Sequence, residues 1–468
     1  FYNNSYLKLV QSGNDTLLQF DENGGADSYK TLVILKNTTV GSFKGANFNP
    51  AYPTDGSTIA GKTFTGTIDN DFIVGSAGND IINAGAGNDT INGEAGSDTI
   101  YGGDGDDTID GSFGNDTIYG EAGNDTITDD QGTNTIDGGI GSDTINVKSL
   151  TANQTIYGGD DDDIVNATGK VVTLYGDGGS DNLTVTGQIS INNTQTYVQN
   201  GKATIYGGDG NDGSVNSYIF NGQTYTYTNG GLSASYLETA TLDGGAGNDV
   251  LKTEYVKNAT LNGGNGDDYL EGYIYNWYNI NSINAGYGSS TTLNGDAGND
   301  TIKVTGVSYT WCGITSVTAD GGIGNDTITV SDSSFGNNYG AIAYATLSGG
   351  EGDDRIEASG VLQLSMSGGA GKDTFVLTAQ QYKATLASYN FNYTNVAGKA
   401  IEISDFTVGI DGDVLDISDL LKNGASNYDG SNPFKTGHLY FKQVGTDSIL
   451  GFDENGGGNT FKTFLTLK

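Results

Sequence analysis

Isolated isoleucines set the hydrophobic pattern of residues 71–146. They recur every nine positions, mostly next to threonine, asparagine or tyrosine, and the residues between them are rich in glycine and aspartate. One apolar side chain between polar ones predicts a short β-strand with a single inward residue, and the glycines predict a tight turn beside it. The isoleucines are Ile73, Ile82, Ile91, Ile100, Ile109, Ile118, Ile127, Ile136 and Ile145.

A residue of the Asp/Asn type precedes each isoleucine by two positions, and glycines precede that residue. The stretch Gly102-Gly103-Asp104-Gly105-Asp106-Asp107-Thr108-Ile109-Asp110 shows the full pattern G-G-x-G-x-D-x-U-x. This pattern, held over nine periods in one register, resembles the RTX, or haemolysin-type calcium-binding, repeat. The resemblance implies a parallel β-roll that binds several Ca²⁺ ions in its turns. The fold class expected is therefore all-β, a parallel β-roll or β-solenoid with β-rich terminal caps.

Two nine-residue units make one coil of the expected roll, so parallel strands stack about 4.8 Å apart. The interior is then a thin ladder of isoleucines, which buries too little apolar area to offset the ordering of the chain. Calcium takes six to eight oxygen ligands and tolerates flexible geometry. Stacked turns supply carboxylates and carbonyls, so calcium is the expected source of the missing stability.

An 18-residue coil places the predicted aspartate ligands on two edges. Asn134 departs from the pattern, which puts the metal site at its position in question. One edge carries Asp71, Asp89, Asp107, Asp125 and Asp143, and the other carries Asp80, Asp98, Asp116 and Asn134.

Beyond residue 145 the acidic positions recur at longer intervals, which predicts a wider solenoid with metal turns on one edge. Longer gaps predict coils enlarged by insertions, such as Tyr218 to Tyr227 and Tyr269 to Tyr287. Asp212 is followed by Gly213 and Ser214 where an apolar residue is expected, so its site is predicted to be weaker. The predicted ligands here are Asp163, Asp181, Asp212, Asp249, Asp268, Asp300, Asp326, Asp354 and Asp373.

Turn glycines are also predicted to contribute to the metal sites. These are Gly85, Gly87, Gly103, Gly105, Gly139, Gly141, Gly245, Gly247, Gly264, Gly266, Gly322, Gly324, Gly350, Gly352, Gly369 and Gly371.

The two ends of the chain are related to each other. Residues 7–36 align with residues 439–468 without a gap, and about half of the positions are identical. Residues 400–468, with Ile403-Ser404-Asp405-Phe406 and the run Gly412 to Leu421, resemble the C-terminal targeting domain of type I secreted RTX proteins. That resemblance implies an uncleaved signal read by an ABC exporter. A β-rich cap that closes the solenoid is an equally open interpretation.

Charge and composition exclude several classes of function. The formal charge of −37 disfavours nucleic acid and anionic lipid as partners, and no apolar run is long enough to insert in a membrane.

The lone cysteine Cys312, next to Trp311, forms no intrachain disulfide and is expected to be buried and apolar. The single histidine, His438, is expected to be an ordinary exposed residue. Because no histidine-based or nucleophilic constellation is present, an enzyme is not expected. The aromatic stretch Tyr269 to Tyr287, with Trp277, suggests either cross-strand pairs or a contact surface for carbohydrate or another subunit.

Four regions are predicted: an N-terminal β unit (1–62), a regular two-edged roll (63–148), a widened solenoid (149–378) and a C-terminal target or cap domain (379–468). The expected function is an extracellular calcium-binding structural protein that folds after type I export. It would be secreted or held at a bacterial cell surface, and would assemble head to tail or in a lattice as a surface layer or filament. Cell-surface polysaccharide is a further expected partner. The alternatives are the C-terminal part of a large RTX adhesin and the calcium-binding secretion module of an exported enzyme.

Overall fold

A computed structural model describes residues 7–20, 30–39, 60–149, 151–191, 194–197, 201–220, 223–276, 289–308, 315–332, 342–391, 394–458 and 460–468. The fold is nearly all β, with 58% of residues in strands and 4% in helix, which confirms the expected fold class. The chain divides into two compact units, Phe1–Gly138 and Gly139–Lys468. Among the described residues, no helix is both long and apolar enough to cross a membrane.

The first unit contains a three-stranded antiparallel sheet and a regular solenoid. The antiparallel sheet comprises β1 (Leu7–Ser12), β2 (Asp15–Phe20) and β3 (Lys30–Leu35). One solenoid sheet has β4 (Thr63–Thr65), β6 (Ile81–Ala86), β8 (Thr99–Asp104) and β10 (Thr117–Ala122). The other has β5 (Phe72–Val74), β7 (Thr90–Asn92), β9 (Thr108–Asp110) and β11 (Thr126–Asp129), and β12 (Asn134–Ile140) crosses into the second unit.

Parallel pairing with an offset of 18 residues stacks the isoleucines of this solenoid. Ile91 lies opposite Ile73 and Ile109 in one sheet, and Ile100 lies opposite Ile82 and Ile118 in the other. Ile91 is 1% exposed and Ile100 is fully buried. The polar residues on either side face outward because successive side chains of a strand point to opposite faces.

The second unit has longer strands, and several of them carry two inward residues, such as Leu183 and Val185. One sheet comprises β14 (Asn153–Asp160), β16 (Val171–Gly178), β20 (Lys202–Asp209), β24 (Thr239–Ala246), β26 (Asn258–Asn265), β28 (Ser289–Ala297), β30 (Thr315–Ile323), β32 (Tyr344–Glu351), β34 (Gln363–Ala370) and β38 (Ile401–Ile403). The other comprises β13 (Thr144–Lys148), β15 (Ile164–Thr168), β17 (Asn182–Thr186), β23 (Gly231–Ser235), β25 (Val250–Glu254), β27 (Tyr269–Asn276), β29 (Thr301–Ser308), β31 (Thr327–Asp332), β33 (Arg355–Ser359), β35 (Thr374–Leu377) and β39 (Val414–Asp416).

Antiparallel hairpins are inserted between coils of the second unit. They are β18 (Gln188–Ile191) with β19 (Thr194–Tyr197), β21 (Ser214–Phe220) with β22 (Gln223–Asn229), and β36 (Ser388–Phe391) with β37 (Thr394–Ala397). The predicted insertion Tyr218 to Tyr227 lies in the β21–β22 hairpin. It explains the missing apolar residue after Asp212, because the chain rejoins the solenoid at Gly231 and Leu232 pairs with Leu183.

The C-terminal part of the second unit covers one end of a solenoid sheet. β40 (Leu439–Val444), β41 (Asp447–Phe452) and β42 (Lys462–Leu467) form an antiparallel sheet, and β42 also pairs in parallel with β38. The helix α1 (Ala379–Thr385), capped by the Thr378 side chain, places Tyr382 edge-on to Phe452 and Phe464, at centroid distances of 4.9 and 5.7 Å. A short π-helical turn, Leu420–Gly424, lies beside α1.

Two expectations are wrong. Tyr269–Asn276 is a solenoid strand, not part of an insertion, because Leu270 points inward and pairs with Leu251 and Ile302. His438 is 4% exposed, since it packs against Tyr428 and its ring nitrogens contact Thr436 Oγ1 and the Ser426 carbonyl. Cys312, Trp311, Trp277 and the rest of the aromatic stretch to Tyr287 lie outside the described residues.

Candidate metal sites

The predicted aspartates form continuous rows along the solenoid edges. In the first unit, the backbone N–H of Asp71 donates to Asp89 Oδ1 at 2.6 Å, and the bond repeats from Asp89 to Asp107 and from Asp107 to Asp125, each at 2.7 Å. The second row of this unit runs from Asp80 to Asp98 (2.7 Å), Asp116 (2.8 Å) and Asn134 (2.9 Å).

The described residues of the second unit form one such row, despite spacings of 18 to 40 residues. The backbone N–H of each member donates to Oδ1 of the next at 2.7 to 3.0 Å. Asp212 keeps its place, since its N–H donates to Asp249 Oδ1 at 2.9 Å. The row is Asp143, Asp163, Asp181, Asp212, Asp249, Asp268, Asp300, Asp326, Asp354, Asp373 and Asp413.

The second carboxylate oxygen of most row members is buried and has no hydrogen-bond donor within the described part of the chain. A buried acceptor left unmatched is costly, and an unmatched charge is more so. The atoms are the Oδ2 oxygens of Asp89, Asp98, Asp107, Asp163, Asp181, Asp212, Asp249, Asp268, Asp300, Asp326, Asp354 and Asp373. Each row therefore presents a line of buried oxygens that a cation would satisfy.

The pKa values of the row aspartates also indicate that their buried carboxylates lack stabilising partners. Burial raises the pKa of Asp98 to about 7, although the Asp80 N–H that it accepts acts in the opposite direction. Burial likewise raises the pKa of Asp163 and of Asp268 to about 8, and neighbouring row carboxylates raise them further. No positive group of the described residues acts to lower these pKa values, so nothing there holds the carboxylates ionised at neutral pH.

The row ends differ from the interior because local donors satisfy them. Asp71 Oδ2 accepts from the Thr67 N–H at 2.6 Å, and Asp80 Oδ2 accepts from the Ser76 N–H at 2.5 Å. At the other end of the second unit's row, Asp413 Oδ2 accepts from the Thr407 N–H at 2.7 Å. The unsatisfied oxygens are therefore a property of stacked turns, not of every aspartate in the pattern.

Glycine leaves room for these carboxylates. A Cβ on Gly102 would lie 2.5 Å from Asp107 Oδ2 and 2.7 Å from the Gly120 carbonyl of the next coil. The turn glycines predicted as ligands all have positive φ, between +95° and +142°, which glycine adopts without strain. The first glycine of each predicted pair lies near the end of a strand, as Gly85 does in β6 and Gly103 does in β8, and the second directly follows that strand. The use of these glycines as metal ligands remains a prediction.

The donor set fits calcium. Within the described ranges, no three His, Cys, Asp or Glu side chains gather round one point, so an ion would draw part of its ligand set from backbone carbonyls. A cation bound by row carboxylates and turn carbonyls meets only hard oxygen donors, which suits Ca²⁺ and not a thiolate- or imidazole-binding metal.

Asp413 extends the row of the second unit and was not among the predicted ligands. Two further features of the turns were missed from the sequence. The Asn or Asp just before each row aspartate forms an outer, exposed row, in which the Asp106 N–H donates to Asn88 Oδ1 (3.2 Å) and the Asn124 N–H to Asp106 Oδ1 (2.9 Å). Asp405 accepts from the N–H groups of Gly368 and Gly369 at 3.0 and 2.9 Å. The recurrence of Asn or Asp before the row position was the available signal for the outer row.

Comparison with known proteins agrees with this geometry. A family model described as the RTX calcium-binding nonapeptide repeat matches residues 65–100, 84–118, 110–145, 157–187, 241–253, 258–273, 285–303 and 346–360. A search of curated proteins finds no match. The matched segments contain all members of the two rows of the first unit and part of the row of the second unit.

Proposed function

This chain carries RTX calcium-binding nonapeptide repeats, and from that premise we propose that it is an exported structural protein that folds on binding calcium and then self-associates. The observation that carries the proposal is the line of buried carboxylate oxygens that have no hydrogen-bond donor in the described ranges. Repeats of this kind bind calcium and are typical of exported proteins.

Calcium would supply the positive charge that the stacked turns lack. Row residues such as Asp107 and Asp268 would hold the ions through Oδ2, while their Oδ1 atoms keep the coils in register through backbone N–H groups. An ion that binds the folded chain and not the unfolded one stabilises folding by about 2.7 kcal/mol at a concentration one hundred times its dissociation constant.

Folding coupled to export follows from the same chemistry. Where calcium is scarce, buried carboxylates oppose folding, and the chain stays open enough to pass an ABC exporter. Outside the cell, calcium binds the row carboxylates and stabilises the folded chain. Residues 400–468, which include the sheet β40–β42 at the end of a solenoid sheet, are proposed to carry the export signal.

A structural role without catalysis is the second part of the proposal. Most buried aspartates belong to the rows, where metal binding accounts for them. His438 is held between Thr436 and the Ser426 carbonyl inside the C-terminal sheet region, which leaves it poorly placed as a general base.

Self-association is proposed from the internal equivalence of the chain ends. Strands β1, β2 and β3 match β40, β41 and β42 at a constant offset of 432 residues, including a shared register shift after Leu18 and Leu450. Two segments that share half of their residues thus form the same antiparallel sheet.

The two copies differ in what covers them. Phe464 and Leu465 are 1% and 0% exposed, whereas the equivalent residues Leu32 and Val33 are 58% and 44% exposed. β42 pairs with β38, whereas β3 is the edge strand of its sheet. The sheet β1–β3 therefore exposes an apolar surface, whereas the equivalent surface of the sheet β40–β42 is buried. We propose that a second copy of this chain covers it, head to tail.

Two measurements test the proposal. Circular dichroism against calcium concentration should show β-structure appearing with calcium, and unchanged β-content in excess chelator would contradict calcium-dependent folding.

Light scattering in millimolar calcium should show oligomers of the native chain. The double substitution Leu32→Ser with Val33→Ser should give monomers, whereas the control Ile323→Ser, at a residue also 58% exposed, should not. A monodisperse native monomer in calcium would overturn self-association and leave calcium-dependent folding standing.

A further inference from the structure

The repeat pattern of the first unit breaks at residues 129–134, where the sequence is Asp-Asp-Gln-Gly-Thr-Asn. A regular repeat has glycine at the first of these positions and aspartate at the sixth. Here the two are altered together, because aspartate stands at position 129 and asparagine at position 134. The carboxylate is displaced by five residues along the chain.

Asn134 still performs the structural task of a row aspartate. Its Oδ1 accepts the Asp116 N–H at 2.9 Å, as the row carboxylates do in other coils. Its Nδ2 donates to the Gln131 carbonyl at 3.1 Å. The amide group therefore keeps the coils in register but offers no second oxygen and no charge.

Asp129 brings a carboxylate back to the same edge. Its position follows Gly111 by one coil of 18 residues, and its side chain lies against Gly111, where a Cβ would overlap Asp129 Oδ2. In a regular coil that space holds the carboxylate of the aspartate five residues after the glycine, as with Gly102 and Asp107. Asp116 is the aspartate five residues after Gly111, but Asp129 Oδ2 takes that space here, and the carboxylates of Asp116 and Asp129 lie within hydrogen-bond reach of each other.

Both carboxylates are buried and lack a donor for one oxygen. Asp129 is 0% exposed and Asp116 is 1% exposed, and the Oδ2 atom of each has no hydrogen-bond donor among the described residues. Asp129 Oδ1 accepts from the Gln131 N–H at 3.1 Å, and Asp116 Oδ1 accepts from the Asp98 N–H at 2.8 Å. A bond between the two acids would require a proton on one of them.

We propose that Asp116 and Asp129 together hold a calcium ion, with position 129 supplying the carboxylate that position 134 has lost. Two carboxylates at one point are well suited to a divalent cation, which neutralises both, whereas a shared proton neutralises one. Because Asp129 replaces the carboxylate that Asn134 lacks, the row of calcium sites along this edge continues through the irregular coil.

This inference rests on the proposed binding of calcium by the repeats, and the number of ions per chain tests it separately. Native mass spectrometry of the full chain, loaded with calcium, counts the ions bound. Asp129→Gly should bind one ion fewer than the native chain. Asp129→Gly combined with Asn134→Asp recreates a regular repeat and should regain the native count. The neighbouring substitution Asp130→Asn, at an exposed residue, should leave the count unchanged.

A shared proton in place of calcium predicts a different result. Asp129→Asn would then replace the acid pair with an amide–carboxylate hydrogen bond and leave the ion count at its native value, which overturns the proposal. Failure of the double substitution to regain an ion lost in Asp129→Gly would overturn it as well. Absence of calcium from the native chain would refute the proposed function itself.

Discussion

The backbone N–H of Asp89 donates to Oδ1 of Asp107, eighteen residues further along the chain, at 2.7 Å. The same carboxylate leaves Oδ2 buried and without a donor among the described residues. One oxygen of Asp107 thus sets the register between coils, and the other is available to a cation.

Replacing a row aspartate should weaken the response to calcium. Asp107→Asn keeps the Oδ1 acceptor but places an amide N–H₂ where the cation is expected. The loss should be about 1–3 kcal/mol of unfolding free energy in saturating calcium, the cost of an unsatisfied buried polar group. Urea unfolding in calcium measures it.

Asp106→Asn is the matched control, because Asp106 is exposed in the outer row and an amide there still accepts the Asn124 N–H. Its effect should stay within about 0.5 kcal/mol. Equal losses in the two variants would show that the inner oxygen has no special role.

Calcium affinity should rise with pH. Burial raises the pKa of Asp98 and of Asp300 to about 7, and that of Asp163 to about 8, from the ordinary value of 3.8. Because these folded-state values are raised, the stability that the groups contribute without metal is present below about pH 4 and is lost as pH rises through 7 to 8. Calcium binds the ionised form, so its affinity should increase over that same range, with release of protons.

Calorimetric titration of calcium in two buffers of different protonation enthalpy measures the protons released. The calcium midpoint of folding, followed by circular dichroism, should fall as pH rises from about 5 to about 8. A midpoint that does not move in this range would contradict the raised pKa values of the row aspartates.

Gly102→Ala should destabilise the first unit. The new Cβ would lie 2.5 Å from Asp107 Oδ2 and 2.7 Å from the Gly120 carbonyl of the paired strand β10, so it has no free space. Overpacking of this kind costs about 1–3 kcal/mol. At Gly178, by contrast, the nearest atom to a new Cβ is Asp160 Oδ1 at 3.8 Å. Thermal unfolding in calcium should therefore show a clear loss for Gly102→Ala and little change for Gly178→Ala; similar losses would refute the steric account.

Removal of the β21–β22 hairpin should leave the solenoid intact. A Cβ on Gly213 would lie 2.7 Å from the Gly231 nitrogen and 2.8 Å from the Gly230 carbonyl carbon, so the two ends of the hairpin almost touch. Deleting residues 214–229 joins Gly213 to Gly230 without disturbing the pairing of β17 with β23.

The control is an equally long deletion of residues 231–246, which removes the paired strands β23 and β24. The hairpin deletion should keep the native calcium midpoint of folding, and the control should not fold. Loss of calcium-dependent folding on removal of the hairpin would show that it is part of the solenoid.

The regular part of the fold was predictable because its information is local. A nine-residue period places Ile91, Ile100 and Ile109 inward and Asp89, Asp98 and Asp107 in rows, whatever lies elsewhere in the chain. The single row of the second unit was predictable for the same reason, since each turn carries its own glycines and aspartate.

The burial of His438 was not predictable, because it depends on residues that meet only in the folded chain. Tyr428 and the Ser426 carbonyl, which enclose it, come from a segment with no repeat to indicate its path. Similarly, Asp212 had an unfavourable sequence neighbour, and only strand pairing showed that Leu232 takes the inward position after the hairpin.

By itself, the sequence determined the coil length, the two edges, the row aspartates and the kind of ion that suits them, because stacking identical short units leaves one register that buries the isoleucines. Tertiary structure decided which carboxylate oxygens have no donor among the residues described, and that Asp129 stands beside Asp116 where Asn134 breaks the pattern. It also decided that Leu32 is exposed while its equivalent Phe464 is buried. These outcomes depend on contacts between coils and on what covers each sheet, and neither is encoded within a single repeat.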